Sequence, residues 1–129
     1  MTGSLLDTSV VIAADEAGAL DLPETAAISV ITLGELRAGV LVSRDDRVAA
    51  ARRSRLDAVR AVFAALPVDE AVADRYGAVL AVARSERRTA KATDLLIIAT
   101  AAVADRELFT LDAAQASLAR SAGVRVKSP

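Results

Sequence analysis

The sequence predicts an α/β fold, a sandwich around a mostly parallel sheet, on the strength of three observations. Short apolar segments alternate with longer helical patterns along all 129 residues, the arrangement that gives parallel strands joined by helical crossovers. One of the helical patterns, Leu95 to Ala104, is apolar on nearly every side and must therefore sit in the middle of a layered structure. The chain is 53% hydrophobic and 26% charged, a balance that excludes intrinsic disorder. Its length suits a single domain spanning 1–129, large enough to bury its own core.

Each element follows from local chemistry. Ser4-Leu5-Leu6 is a short apolar strand running into Asp7-Thr8-Ser9, residues that favour a turn or a helix N-cap, and Val10 to Ala14 starts a helix. Ala26 to Val30 reads as a second buried strand, and Thr32 caps a helix through about Val42. Asp45 to Leu66 predicts a long Ala/Arg helix, in which Val48, Ala51, Leu56, Val59 and Phe63 roughly follow a 3.6 period. Pro67-Val68 is a strand stub, and Asp69 or Glu70 opens a helix through about Arg87. After a polar connection to Ala92, Thr93-Asp94 introduces the apolar helix. Glu107 to Leu111 is a strand, Asp112 to Ala122 a helix with Gly123 as its C-cap, and Val124 to Val126 a last strand.

Composition narrows the chemistry. There is no Cys and no His, which removes disulfides, thiolate or imidazole zinc sites, Cys nucleophiles and Ser-His-Asp hydrolases. Only Phe63, Tyr76 and Phe109 are aromatic, so few rings are available to stack on unpaired bases. The net charge is −1, so the chain is no basic nucleic-acid coat; its cations are nearly all arginine, the better bidentate phosphate ligand. The N-terminus lacks the basic, apolar pattern of a secretory leader, and no apolar run is long enough to span a bilayer. A cytoplasmic protein with no membrane partner is expected.

Four acids fall where a parallel sheet places its crevice, beyond the carboxyl ends of the strands. Asp7 follows the first strand and Asp112 the fourth, positions that equally suit helix caps. Glu35 shares a helical face with Ile31, Ala38 and Val42, where an uncompensated acid costs several kcal/mol of desolvation; a solvated domain edge is the alternative. Asp94 opens the most apolar helix, where capping and the helix dipole would stabilise it by roughly 0.3–1 kcal/mol. Two carboxylates about 4 Å apart repel by roughly 4 kcal/mol at an effective dielectric near 20, so a converging set calls for a cation. Without His or Cys, an all-oxygen shell suits Mg²⁺ or Mn²⁺, and Mg²⁺ in turn suits phosphoryl chemistry.

Leu5-Leu6-Asp7-Thr8-Ser9, Thr32-Leu33-Gly34-Glu35-Leu36, Thr93-Asp94-Leu95-Leu96-Ile97-Ile98-Ala99 and Leu108-Phe109-Thr110-Leu111-Asp112 occur in this order. Together they resemble the four acidic motifs of PIN-domain ribonucleases, most closely the VapC toxins of bacterial VapBC type II toxin–antitoxin pairs. The resemblance covers essentially the whole chain. It implies a PIN-like three-layer α/β/α sandwich whose central, mostly parallel sheet has four or five strands. It also implies endoribonuclease activity dependent on one or two Mg²⁺ or Mn²⁺ ions, and 5′-phosphate and 3′-hydroxyl products. The implied partners are RNA, a second copy in a homodimer, and a cognate VapB antitoxin that inhibits the enzyme and builds a higher assembly. By position, Asp7, Glu35, Asp94 and Asp112 correspond to the catalytic, metal-holding quartet, and Thr8 or Ser9 to the supporting hydroxyl beside the first acid. Many relatives carry a further acid or Asn, then Phe, shortly after the fourth acid; here Ala113 to Ala116 offers only Gln115.

An all-carboxylate site repels a polyanion unless cations line the approach. Arg84, Arg87, Arg88 and Lys91, just upstream of Asp94, are the candidates for RNA-backbone contacts, or else a solvated helix end. Arg44, Arg47, Arg52, Arg53, Arg55 and Arg60 decorate the long helix, and the Thr32–Leu66 helix pair has apolar surface for an antitoxin segment. Two other readings compete. A PIN fold kept only to bind protein has no use for four acids. A receiver-like phospho-signalling domain, to which Lys127-Ser128-Pro129 gives a superficial fit, needs its acceptor Asp at the end of a mid-chain strand, yet Asp57 lies in a predicted helix.

Overall fold

The computed structural model describes residues 3–17, 22 and 25–127; Ser128 and Pro129 of the receiver-like motif lie outside them. The order is β1 (Ser4–Leu6), α1 (Thr8–Ala17), β2 (Ala26–Ser29), α2 (Val30–Val42), α3 (Asp46–Val62), β3 (Ala64–Leu66), α4 (Glu70–Ser85), α5 (Ala92–Val103), β4 (Glu107–Phe109), α6 (Ala113–Ser121) and β5 (Val126–Lys127). The five strands form one parallel sheet in the order β3-β2-β1-β4-β5. The chain thus builds outward from β1 in one direction and then restarts on its other side. That reversal between β1 and β4 leaves a crevice at their carboxyl ends, the place where open α/β sheets bind ligands.

Strand alternation sorts the core into two layers. Leu5, Ala27 and Leu108 face one side and pack with Val79 and Ala83 of α4, Leu95, Ile97, Ile98 and Ala101 of α5, and Leu118 and Ala119 of α6. Leu6, Ile28 and Phe109 face the other and pack with Val10 and Val11 of α1, Leu36 of α2, and Leu56 and Val59 of α3. The register sets Leu5 beside Ala27 and Leu108, and Leu6 beside Phe109, so each face is continuous across the sheet. The result is the three-layer α/β/α sandwich. Burying Leu95, Ile97 and Ile98 contributes roughly 1.5–3 kcal/mol each, which makes α5 the best-anchored helix of its layer.

Several boundaries differ from the sequence expectation, each for a local reason. The long helix stops at Val62, because Ala64–Leu66 leaves it to pair with β2; pairing at the sheet edge overrides the helix propensity of alanine, and Pro67-Val68 is not the strand. Helix α1 begins at Thr8 rather than Val10. Ser29, not Thr32, caps α2 by accepting from the Ile31 amide, which leaves Thr32 inside the helix and fully buried. Helix α4 ends at Ser85, before Arg87, whose φ of 54° turns the chain. Helix α5 begins at Ala92 with Lys91 as a cap that makes no side-chain bond, so Asp94 lies in its first turn and is not its cap. The last strand starts at Val126, after Gly123 has turned the chain at a φ of 82°, a left-handed conformation open to glycine. Asp57 lies within α3, away from any strand end.

Candidate active site

The carboxyl ends of β1 and β4 bring Asp7 and Asp112 to the crevice. Asp7 is buried at 5% exposure, in the step between β1 and α1. Its Oδ2 accepts from the Ser9 amide at 3.2 Å and from the Ser9 hydroxyl, and its Oδ1 from Gln115 Nε2 at 3.2 Å. Ser9 Oγ accepts in turn from the Leu111 amide at 3.2 Å, so the loop after β4 steadies the acid after β1. Thr110 donates its single hydroxyl proton to Gln115 Oε1 at 2.7 Å and stands 3.3 Å from Asp7 Oδ2. Asp112 is exposed and caps α6, with Oδ1 accepting from the Ala114 and Gln115 amides at 3.0 and 3.1 Å. Its Oδ2 takes part in neither bond.

Glu35 enters from α2. The core face of that helix is Thr32, Leu36 and Val40; Ala38 is exposed and Val42 is 71% exposed, so the face expected to bury Glu35 is the helix border instead. Glu35 is half-buried there, and its Oε1 accepts from Thr8 Oγ1 at 2.8 Å. Because the Thr8 proton goes to Glu35, the 2.9 Å contact between Thr8 and the buried Thr32 has Thr32 as donor. The two hydroxyls after Asp7 therefore serve different acids, Ser9 holding Asp7 and Thr8 holding Glu35.

Asp94 completes the set from α5. Among the described residues no hydrogen bond or ion pair reaches its carboxylate. Burial, followed by the negative charges of Asp7, Asp112 and Glu35, raises its pKa from 3.8 to about 6, against the opposing pull of Lys91. Asp94 is thus close enough to feel each of the other three acids. Among the described residues, however, no three of them stand close enough together to hold one ion as folded. The two facts agree, since charge repulsion reaches farther than the 2.0–2.6 Å or so of a metal–oxygen bond.

Of the four upstream cations, Arg88 and Lys91 border the site, lining with Asp94 and Asp112 a cavity of about 400 Å³ beside α6. Arg84 and Arg87 are exposed and are not part of that lining. On the other flank Glu35 shares a cleft with Arg52 and Arg55 of α3, where Arg52 donates to the Gly39 carbonyl at 2.7 Å and Arg55 pairs with Asp15 at 2.8 Å. The other α3 arginines are exposed. Two members of the site escaped sequence reasoning as active participants, Gln115 and Thr110. The only signal for Gln115 was its place as the sole functional side chain in the alanine-rich stretch after Asp112.

A doubly wound parallel sheet with carboxylates at its switch point defines a class. Residues 4–121 match the PIN domain family, and the chain belongs to that family. Within it the similarity runs to VapC proteins. Ribonuclease VapC8 of Mycobacterium tuberculosis is 43% identical over 102 residues, covering 77% of this chain and 90% of that protein. Ribonuclease VapC5 of the same species is 36% identical over 126 residues, covering 95% and 92%. The crystal structure of VapBC-5 from M. tuberculosis, a member of the VapBC family of toxin-antitoxin systems, matches with a TM-score of 0.86 and 33% identity over the whole of both chains.

Proposed function

We propose that this chain, acting as a single domain, is the metal-dependent endoribonuclease toxin of a toxin–antitoxin module, with Asp7, Glu35, Asp94 and Asp112 as its catalytic acids. The observation that carries this reading is Asp94: a carboxylate at the switch point with three acids around it and no donor among the described residues. Such an arrangement is self-repelling by itself and becomes favourable when a cation enters.

The donor chemistry fits a divalent ion. All available ligands are oxygens, and among the described residues no donor reaches Asp94, the second oxygen of Asp112 or the second oxygen of Glu35. An open arrangement suits Mg²⁺, which keeps several of its waters, or Mn²⁺. Asp7, Asp94, Glu35 and Asp112 would hold one or two such ions. A bound ion supplies positive charge to a phosphate oxygen and makes water more acidic. The chain does the rest. Ser9 and Gln115 fix the Asp7 carboxylate in one orientation, and Thr8 fixes Glu35, so neither must reorganise when RNA arrives. Lys91 and Arg88 offset the acids' repulsion of the phosphate backbone. Hydrolysis leaves 5′-phosphate and 3′-hydroxyl ends.

The control element is a VapB-type antitoxin, and the toxin works as a homodimer within the larger assembly. The α2–α3 face supports this reading. Leu41 is 72% exposed and Val42 71%, with Val48 also exposed, apolar surface that a partner segment would cover. No helix among the described residues is long and apolar enough to cross a membrane, and a toxin acting on RNA would work in the cytoplasm. Expression of the wild type should arrest growth and create new 5′ ends across total RNA. The Asp94→Asn variant should lose cleavage by at least about 100-fold with Mg²⁺ present. Equal cleavage by the variant would overturn the assignment.

A further inference from the structure

We infer that the cavity between the α4–α5 connection and α6 seats one unstacked nucleobase of the RNA, next to the phosphate that is cut. The inference rests on the ribonuclease reading and adds a subsite to it. The cavity holds about 400 Å³, within the roughly 300–1,000 Å³ range of small-ligand clefts. Ala90, Ile98, Ala114 and Leu118 give it aliphatic walls, while Asp94 and Asp112 border it on the side of the acids.

This combination selects its occupant. The carboxylates repel a free anion, and aliphatic walls offer nothing to a phosphate. A nucleotide satisfies both demands, with a neutral, flat base against the walls and its phosphate toward Arg88 and Lys91, which offset the acids. Arg88 is held ready for such a ligand. Its Nη1 donates to Ser117 Oγ at 2.8 Å and its Nε pairs with Glu86 at 2.6 Å, so the planar cation loses little freedom on binding. Lys91 has no ion pair among the described residues. Gln115, whose Oε1 and Nε2 serve Thr110 and Asp7, is already committed. That leaves the Thr89 hydroxyl, which has no hydrogen bond among the described residues, to meet the edge of the base. None of the three aromatic residues lines the cavity, so the base is held by fit between aliphatic surfaces and not by ring stacking. Two other clefts among the described residues fit less well: the one beside Glu35 has its arginines engaged, and the surface by Glu70 and Asp74 is acidic and otherwise lined by alanines.

The test uses the metal-free wild type with methyl-labelled Ile and Leu, titrated separately with the four nucleoside 5′-monophosphates and with ribose 5-phosphate. At least one nucleotide should shift the Ile98 and Leu118 methyl signals, and ribose 5-phosphate should not. Ala114→Trp, which fills the cavity, should weaken that nucleotide at least about tenfold. Thr89→Val, at an exposed loop position, should change the ranking of the four bases. Nucleotides that move these methyls no more than ribose 5-phosphate does would overturn the assignment. So would a response to N-acetyl-leucine amide in their place, which would give the cavity to a protein side chain. No cleavage is read, so an inactive protein that binds a nucleotide sinks only the ribonuclease reading, and an active ribonuclease that ignores all four sinks only the subsite.

Discussion

Asp7 and Asp94 stand at one crevice and are built in opposite ways. Asp7 is buried, yet the Ser9 amide and hydroxyl and the Gln115 amide donate to it, supported behind by Thr110 and the Leu111 amide. Asp94 is less buried but receives no donor among the described residues, and its pKa climbs to about 6. Burial is the first cause of that rise and the neighbouring acids the second, and no donor among the described residues offsets either, whereas Asp7 has three. The fold tolerates Asp94 because its helix is secured by Leu95, Ile97 and Ile98, whose burial outweighs the repulsion.

That contrast can be tested from its strongest consequence downward. Asp7→Ala should abolish cleavage and lower stability by about 2–4 kcal/mol in urea unfolding, since buried donors lose their acceptor. Gln115→Leu should lower stability by about 1–3 kcal/mol for the same reason, leaving Thr110 without its acceptor, and should reduce the cleavage rate more than it weakens RNA binding. Asp94→Asn should do the reverse and stabilise the metal-free protein at pH 7.5 by about 1–2 kcal/mol, a figure reduced for solvent screening of a half-buried group. A raised pKa means that the folded state holds the extra proton between pH 3.8 and about 6. The Asp94 contribution to metal-free stability thus falls as pH rises through that window and stays low above it, whereas Asp94→Asn should lack this decline. Thermal scans from pH 4 to 8 on both proteins would show it. Asp112→Ala should cost the least in stability, about 1 kcal/mol, by removing the cap of α6.

Much of this architecture was legible in the residues. Ser4-Leu5-Leu6 read as a strand before Asp7, Glu107 to Leu111 as one before Asp112 although it stops at Phe109, and α5 announced itself by being apolar all round. Legibility failed where a contact between distant segments decided the outcome. Alanine-rich residues 64–66 look helical until β2 offers a pairing edge. Thr32 has the chemistry of a cap, but its hydroxyl is spent on Thr8, 24 residues earlier. The face assigned to Glu35 was wrong by a fraction of a helical turn, because Val42 at its end is apolar yet exposed, and one sequence cannot show what covers it. Gln115 was visible as a residue but not as a partner, since nothing local to it hints at Asp7.

The Asp7–Gln115 hydrogen bond joins positions 108 residues apart. Chain closure over such a span comes late, after most of the polypeptide exists and has begun to fold. The orientation of the acid after β1 is therefore a property of the assembled sandwich and not of its first strand, set only when α6 docks beside it.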